Sequence, residues 1–332
     1  MKRKIALLYG GESAEHDVSI NGSIYLKRLL EKTEHEILPI YINREGRWEL
    51  KTDNASYEVF PCPSDGGALR LLSGECITID AAIPLLHGRG GESGEIQGLL
   101  HTAGIPFVGA DIMTGAVCLD KHYTKCIAQN HGIPVAKWVA FSEKNDTGAA
   151  LELCKRQIGF PMFIKPRRLG SSVGAYPVHD DKEFYECFPK AMEAGENLVI
   201  VEELFEKKRE LECAFYQVGG TVKISHPGEI LTDGFYGYEE KYKKQTKTLK
   251  RAEITESVRK EIKEYNLLLS KVCSLRHLAR IDYFLTKRGV IFNEINTFPG
   301  FTEQSLYPKL LLEAGIEPRD AILAFIEDVI GC

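Results

Sequence analysis

The residues best suited to chemistry in this 332-residue sequence lie between Arg280 and Ser305. Two apolar runs, 280–286 and 290–296, are joined by Lys287, Arg288 and Gly289 and predict a β-hairpin. A turn centred on Arg288 sets Asp282 opposite Glu294, Arg280 opposite Asn296 and Phe284 opposite Phe292, all on one face by the two-residue period. Opposed residues have Cβ atoms about 5 Å apart, and like charges there are destabilising. A hard divalent cation removes that repulsion, because carboxylates and an amide oxygen are ligands Mg2+ takes when it also binds phosphates. Arg280 beside them supplies a fixed cation for developing negative charge. An exposed hairpin with ordinary surface charges explains any one of these residues. It does not explain Asp, Glu, Asn and Arg gathered opposite Ile281, Tyr283, Leu285, Ile291 and Ile295. Asn293 alone breaks the alternation. The chemistry expected is that of a magnesium nucleoside triphosphate.

Other groups fit such a ligand. There is no G-x-x-x-x-G-K-S/T loop and no convincing G-x-G-x-x-G fingerprint, so neither a P-loop nor a dinucleotide fold is expected. The Gly/Ser-rich loop 167–174 could still converge backbone N–H groups on an anion, with Lys165 at the strand end before it. Lys121 falls in the middle of an expected helix. Glu202 and Glu203 end an apolar strand, where a backbone edge could read adenine and a carboxylate take a ribose hydroxyl. Glu15, near a helix N-terminus, suits the macrodipole, and His87 follows an apolar strand. Taken singly, each has an ordinary structural explanation.

The elements that must position them follow from periodicity. Residues 4–9, 35–42 and 81–86 read as strands, alternating with helices that begin at a Ser13 cap and at Glu95. This is the rhythm of a parallel, doubly wound sheet. Its ligand crevice would hold 10–15 and 87–94 together. A helix is expected over 114–130, ending at Gly132 with Pro134 beyond. Further helices are expected near 146–157, 182–193, 256–275 and 320–330. Strands 161–165 and 198–203 flank the Gly/Ser loop, and a hairpin over 210–225 turns at Gly219-Gly220. The long polar stretch 232–251 suggests a functional lid.

Bulk properties narrow the class. The chain is long enough for two or three packed domains, and no apolar run approaches the roughly eighteen residues of a membrane span. The basic start is followed by too short an apolar run for a signal peptide. Nine scattered cysteines, with no C-x-x-C pair, fit a reduced cytoplasmic protein. A net charge of −5 without a basic stripe argues against nucleic acid as a partner.

Together the motifs resemble the D-alanine–D-alanine ligases of the ATP-grasp superfamily. They are GGESAEHDVS at 10–19, LHGRGGESGEIQG at 86–98, Asp120-Lys121, IKPRRLGSSVG at 164–174, YEEKY at 238–242, RIDYF at 280–284 and FNEINTFPGFTEQSLYP at 292–308. The resemblance implies an α/β protein, α+β in its C-terminal parts. An N-terminal parallel α/β substrate-binding domain (1–110) would precede central (111–203) and C-terminal (204–332) ATP-grasp subdomains. It implies ligation of two D-alanines to D-alanyl-D-alanine for peptidoglycan precursors, with ATP and two Mg2+ ions (or Mn2+), by a cytoplasmic homodimer.

By motif position, Glu15 would hold the ammonium of the first D-alanine, with His87 nearby. Lys121, Lys165, Ser172 and Lys241 would meet the nucleotide's phosphates. Glu202, Glu203, Leu204 and Phe205 would meet adenine and Glu210 the ribose, with Phe284 and Phe292 also beside the nucleotide. Asp282, Glu294 and Asn296 would hold metal. Arg280 and the Gly300 N–H would stabilise the oxyanion, Ser305 and Leu306 would bind the second D-alanine, and Ser171 and Tyr242 would close the site.

Three departures from the family pattern stand out. Leu169 replaces a glutamate that hydrogen-bonds the residues matching Ser171 and Tyr242. Arg167 replaces a small residue, adding charge near the phosphates, and Glu303-Gln304 replaces a serine-histidine pair. They bear on the second substrate, where D-serine, and less so D-lactate, is the alternative. Leu306, Val173 and Tyr242 favour D-alanine. A non-catalytic nucleotide-binding protein would need a missing catalytic group, and none is missing. A dehydrogenase would rest on the N-terminal glycines alone.

Overall fold

The computed structural model describes residues 2–143, 145–231 and 247–331. Strand β1 (Lys4–Gly10) is apolar on both sides: Ile5, Leu7 and Tyr9 enter one core and Ala6 and Leu8 another. A strand buried on two faces belongs inside a parallel arrangement. It pairs in parallel with β2 (Glu36–Ile42) and, on its other side, with β7 (Ala81–Leu85). Helix α1 (His16–Leu30) joins β1 to β2.

The expected parallel rhythm stops at those three strands. Between β2 and β7 the chain forms β3 (Trp48–Lys51), β4 (Ser56–Pro61), β5 (Ala68–Leu71) and β6 (Cys76–Thr78). They extend the sheet antiparallel, giving the order β6-β5-β4-β3-β2-β1-β7.

Helix α2 (Glu95–Thr102) leads into α3 (Ile112–Leu119) and α4 (Lys121–Asn130). The single helix expected over 114–130 is therefore interrupted. Asp120 takes an extended conformation and its carboxylate accepts from the His122 N–H at 3.1 Å. That break moves Lys121 from a helix middle to a helix start.

A second sheet, in the order β10-β9-β11-β8, is antiparallel throughout. Its strands are β8 (Trp138–Phe141), β9 (Met162–Pro166), β10 (Tyr176–Val178) and β11 (Val199–Glu203). Helices α5 (Thr147–Gln157) and α6 (Asp181–Ala194) cover it over a core containing Phe141, Phe184 and Phe188.

The third sheet runs β15-β14-β12-β16-β17, with β13 pairing β12. It contains β12 (Arg209–Val218), β13 (Thr221–Ile224), β14 (Gly228–Leu231), β15 (Lys247–Leu249), β16 (Leu278–Thr286) and β17 (Gly289–Asn296). Helix α7 (Glu256–Val272) packs on it. The last helices, α8 (Leu306–Glu313) and α9 (Pro318–Ile330), return to the first sheet, where Phe301, Phe325 and Ile326 share a core with Ile5, Leu7 and Ile83. No described helix is long and apolar enough to cross a membrane. The eight described cysteines are free.

Candidate active site

The β16–β17 ladder sets Arg280 opposite Asn296 and Asp282 opposite Glu294, as the hairpin pattern predicts. Beyond that point the register shifts by one. Asn293 bulges out, so Tyr283 pairs with Phe292 and Phe284 with Ile291. The bulge accounts for the break in alternation and corrects the expected Phe284–Phe292 pair. It also corrects the assignment of Phe292 to the nucleotide: that ring is fully buried on the core face, 6.0 Å from the Tyr283 ring. Phe284 and Asn293 stay on the cleft side.

That cleft, about 970 Å³ including the solvent at its mouth, lies between the second and third sheets. Arg280 donates to both oxygens of Asp282 at 2.8 Å and stands 3.2 Å from Glu212. Burial works against the guanidinium's charge, but Asp282 and Glu212 outweigh it and hold Arg280 firmly protonated. Asn296 donates to Asp282 at 3.1 Å, and Lys121 lies 3.5 Å from Glu294. Two facing carboxylates with one amide are a fitting but incomplete shell for Mg2+, which takes its remaining oxygens from phosphate and water. Among the described residues no group of three or more His, Cys, Asp and Glu converges as a metal cage, here or elsewhere.

The expected phosphate side gathers in the same place. Lys165, Leu204, Phe205 and Ser172 line the cleft. Lys121 donates to the Leu169 carbonyl at 2.8 Å, fastening the Gly/Ser loop to α4. Ser171 and Ser172 adopt φ of 54° and 58°, a left-handed strain typical of ligand loops. Glu210 pairs with Lys208 at 3.1 Å, and Lys208 lies 4.0 Å above the Phe284 ring. Glu202, Glu203 and Glu210, expected at the adenine and ribose, line the same cleft. Glu202 is buried between Lys125 (3.2 Å) and Lys165 (3.0 Å), and Glu203 accepts from the Lys137 N–H and from Arg288. Both side chains thus brace the cleft wall that they line with Leu204 and Phe205.

The other end is built around Glu15. Ser171 donates to its carboxylate at 2.5 Å. A Cβ on Gly88 would come within 2.9 Å of Glu15 Oε2, and one on Gly170 within 2.8 Å, so two glycine backbones are needed to enclose this acid. Glu15 itself occupies the cap position of α1. Ser13, expected there, instead accepts from the Glu15 N–H at 3.2 Å and donates to the His87 carbonyl at 2.7 Å.

His87 Nδ1 is 3.0 Å from the Phe298 carbonyl, while its buried Nε2 has no hydrogen-bond partner among the described residues. Glu92 binds the Gly88 and Phe298 N–H groups at 3.0 and 2.9 Å, tying the loop after β7 to the segment carrying Gly300. Burial pushes the Glu92 carboxyl up. Ser305 stands at the N-terminus of α8 beside Gly300, its hydroxyl bonded to Thr302. Leu306 begins α8 with its side chain in the core.

The departures acquire definite roles. Arg167 does not add charge near the phosphates. It is 3% exposed, grips Asp120 through two bonds of 3.0 and 2.8 Å, and donates to Ser142 at 2.9 Å. Despite burial, Arg167 and Arg168 hold Asp120 below the usual carboxylate range. Glu303 pairs with Arg28 at 2.9 Å, away from Ser305. With leucine at 169, Ser171 reaches Glu15 directly. Lys241, Tyr242 and most of the expected lid lie outside the described residues.

The sequence reading passed over Lys125, Glu92 and Glu212. Lys125 had a signal: it stands four residues after Lys121, on the same helix face, where like charges need an acid between them. Glu212 follows Glu210 by the strand period and pairs opposite Asp282. Glu92 carried no signal in its spacing.

Two antiparallel sheets closing on a cleft of lysines, an arginine and facing carboxylates, beside a mixed N-terminal sheet, define the ATP-grasp fold. The profiles of D-ala D-ala ligase N-terminus and C-terminus match residues 4–110 and 127–327. The D-alanine--D-alanine ligase of Oceanobacillus iheyensis is 34% identical over 98% of this chain and 95% of its own length. That of Deinococcus radiodurans is 35% identical over 98% of both. Among solved structures, the D-alanine-D-alanine ligase from Coxiella burnetii superposes with a TM-score of 0.87 at 30% identity, covering 99% of this chain and 94% of that one. The VanG D-Ala:D-Ser ligase from Enterococcus faecalis does so with 0.87 at 31%, covering 100% and 99%. This chain belongs to the D-alanine–D-alanine ligase family.

Proposed function

We propose that this chain joins two D-alanines into D-alanyl-D-alanine at the expense of ATP, supplying peptidoglycan precursors. The observation that carries the reading is the Ser171–Glu15 bond, which places an enclosed carboxylate beside the loop that borders the lysine-lined cleft. Glu15 would hold the ammonium of the first D-alanine. A carboxylate oxygen of that D-alanine would attack the γ-phosphorus of ATP held by Lys121 and Lys165, breaking the bond to the bridging oxygen and releasing ADP. Asp282, Glu294 and Asn296 would hold magnesium, which neutralises phosphate charge.

The amine of the second D-alanine would then attack the acyl carbon of the resulting acyl phosphate. Arg280 and the Gly300 N–H would stabilise the oxyanion, inorganic phosphate would leave, and the nitrogen would give up a proton. Arg280 suits this role because Asp282 and Glu212 fix its charge and direction in advance. An acyl phosphate needs water kept out, and Lys241 and Tyr242 are proposed to close over it. A cytoplasmic homodimer with domains bounded near 110 and 203 belongs to the same reading.

D-serine is the second reading, because a D-Ala:D-Ser ligase is structurally as similar as a D-Ala-D-Ala ligase. The resemblance favours D-alanine at Leu306, whose own side chain packs into the core. Incubation with ATP, magnesium and equal D-alanine and D-serine, followed by mass spectrometry, separates the two. D-alanyl-D-alanine is expected to dominate, and a dominant mixed dipeptide would overturn the assignment.

A further inference from the structure

Lys125 follows Lys121 by one turn of α4, and its side chain has no exposure to solvent. An ammonium taken out of water costs several kcal/mol unless a counter-charge meets it. The counter-charge is Glu202, itself 3% exposed. Glu202 Oε1 lies 3.2 Å from Lys125 Nζ, and Oε2 lies 3.0 Å from Lys165 Nζ. One carboxylate from β11 is therefore shared between an ammonium from α4 and one from β9. Burial pushes Lys125 down against the pull of Glu202. Burial works to raise Glu202, yet the two ammoniums hold it below its usual range. With all three charged, the cluster carries one net positive charge, delivered to the cleft by Lys165.

We propose that Lys125 is a positioning residue for nucleotide binding. By occupying one oxygen of Glu202, it keeps Lys165 from being neutralised and holds its ammonium toward the triphosphate. This rests on the reading of Lys165 as a phosphate ligand. Without Lys125, Glu202 and Lys165 form a neutral pair closed on itself, and the phosphates lose one elementary charge. A lysine that merely fills the core predicts the opposite: removing its charge leaves the nucleotide affinity alone.

Calorimetric titration of ATP into the full chain with magnesium distinguishes these. K125M is expected to raise the Kd by at least about tenfold, the scale of one close charge in a protein interior. K125R should stay near wild type. The double variant K125M/E202Q restores the net positive charge and should recover to within about threefold of wild type, less than one tenfold step of 1.4 kcal/mol. Unchanged affinity in K125M, or a double variant that binds no tighter than K125M, overturns the proposal. Should K125M fail to fold, K125Q, which keeps a polar group against Glu202 but removes the charge, takes its place with the same outcomes. A wild-type chain that binds no ATP would instead overturn the reading of the cleft.

Discussion

Ser171 Oγ donates to the Glu15 carboxylate at 2.5 Å, and this bond joins the start of α1 to the loop after β9. A hydrogen bond to a charged acceptor contributes about 1.5–3 kcal/mol. S171A should therefore lower kcat/KM for D-alanine roughly ten- to hundredfold, with KM for ATP much less affected. Steady-state kinetics with each substrate varied checks this. Equal loss toward both substrates would place Ser171 in the nucleotide site instead.

Gly170 supplies a second check on Glu15. A methyl group there would stand 2.8 Å from Glu15 Oε2, the far end of a flexible side chain, and Gly170 has no left-handed φ to strain. G170A should thus leave Tm nearly unchanged while raising KM for D-alanine by about tenfold, a shift of roughly 1.4 kcal/mol. A large fall in Tm with unaltered KM would mean that the close approach is structural only.

Arg167 should matter for folding. Its two bonds bury the Asp120 charge, and removing one partner of a buried pair costs about 3–5 kcal/mol. R167M should lose about 3 kcal/mol in chemical denaturation, the low end, because Arg168 still donates to Asp120 at 2.8 Å. R167M/D120N should regain part of it. A double variant no more stable than R167M would show that the charge on Asp120 is not what Arg167 answers.

A pH dependence follows from His277. Its Nδ1 accepts from the Gly109 N–H at 2.9 Å and its Nε2 faces Asp328 at 3.2 Å. Burial, helped by Arg276 and opposed by Asp328, lowers its pKa to about 4. The unfolded chain takes up this proton below about 6.5 and the folded chain only near 4. The stability His277 contributes is present above 6.5 and is lost as pH falls through that window, about 3 kcal/mol in all. H277N should flatten this part of the stability–pH curve measured by denaturation. A wild-type slope in H277N would assign the window to other groups.

The hairpin was legible because period-two alternation survives in a strand with one polar face, so Asp282 and Glu294 could be paired by spacing alone. The register failed at Asn293, since a bulge inserts a residue without changing composition. The strands between residues 48 and 78 escaped notice for another reason. They are three to six residues long and broken by Asp, Asn, Ser and Gly, so their alternation never accumulates. Lys121 read as mid-helix because the only local mark of a break is Asp120 as an N-cap, easily lost in a run of helix formers; its three guanidinium bonds come from residues about 47 positions away. Arg167 was misread likewise, as a charge near the phosphates, because burial and partners across the fold decide what a charge does.

Inorganic phosphate release from ATP, measured with D-alanine as the only amino acid and matched to D-alanyl-D-alanine formed, tests the account most directly. One phosphate per dipeptide is expected with magnesium present and none after its chelation. E294Q, which keeps the shape of the hairpin but removes one of the facing charges, should fall silent while retaining its Tm. Phosphate release independent of D-alanine, or turnover by E294Q near that of the wild type, would contradict the account.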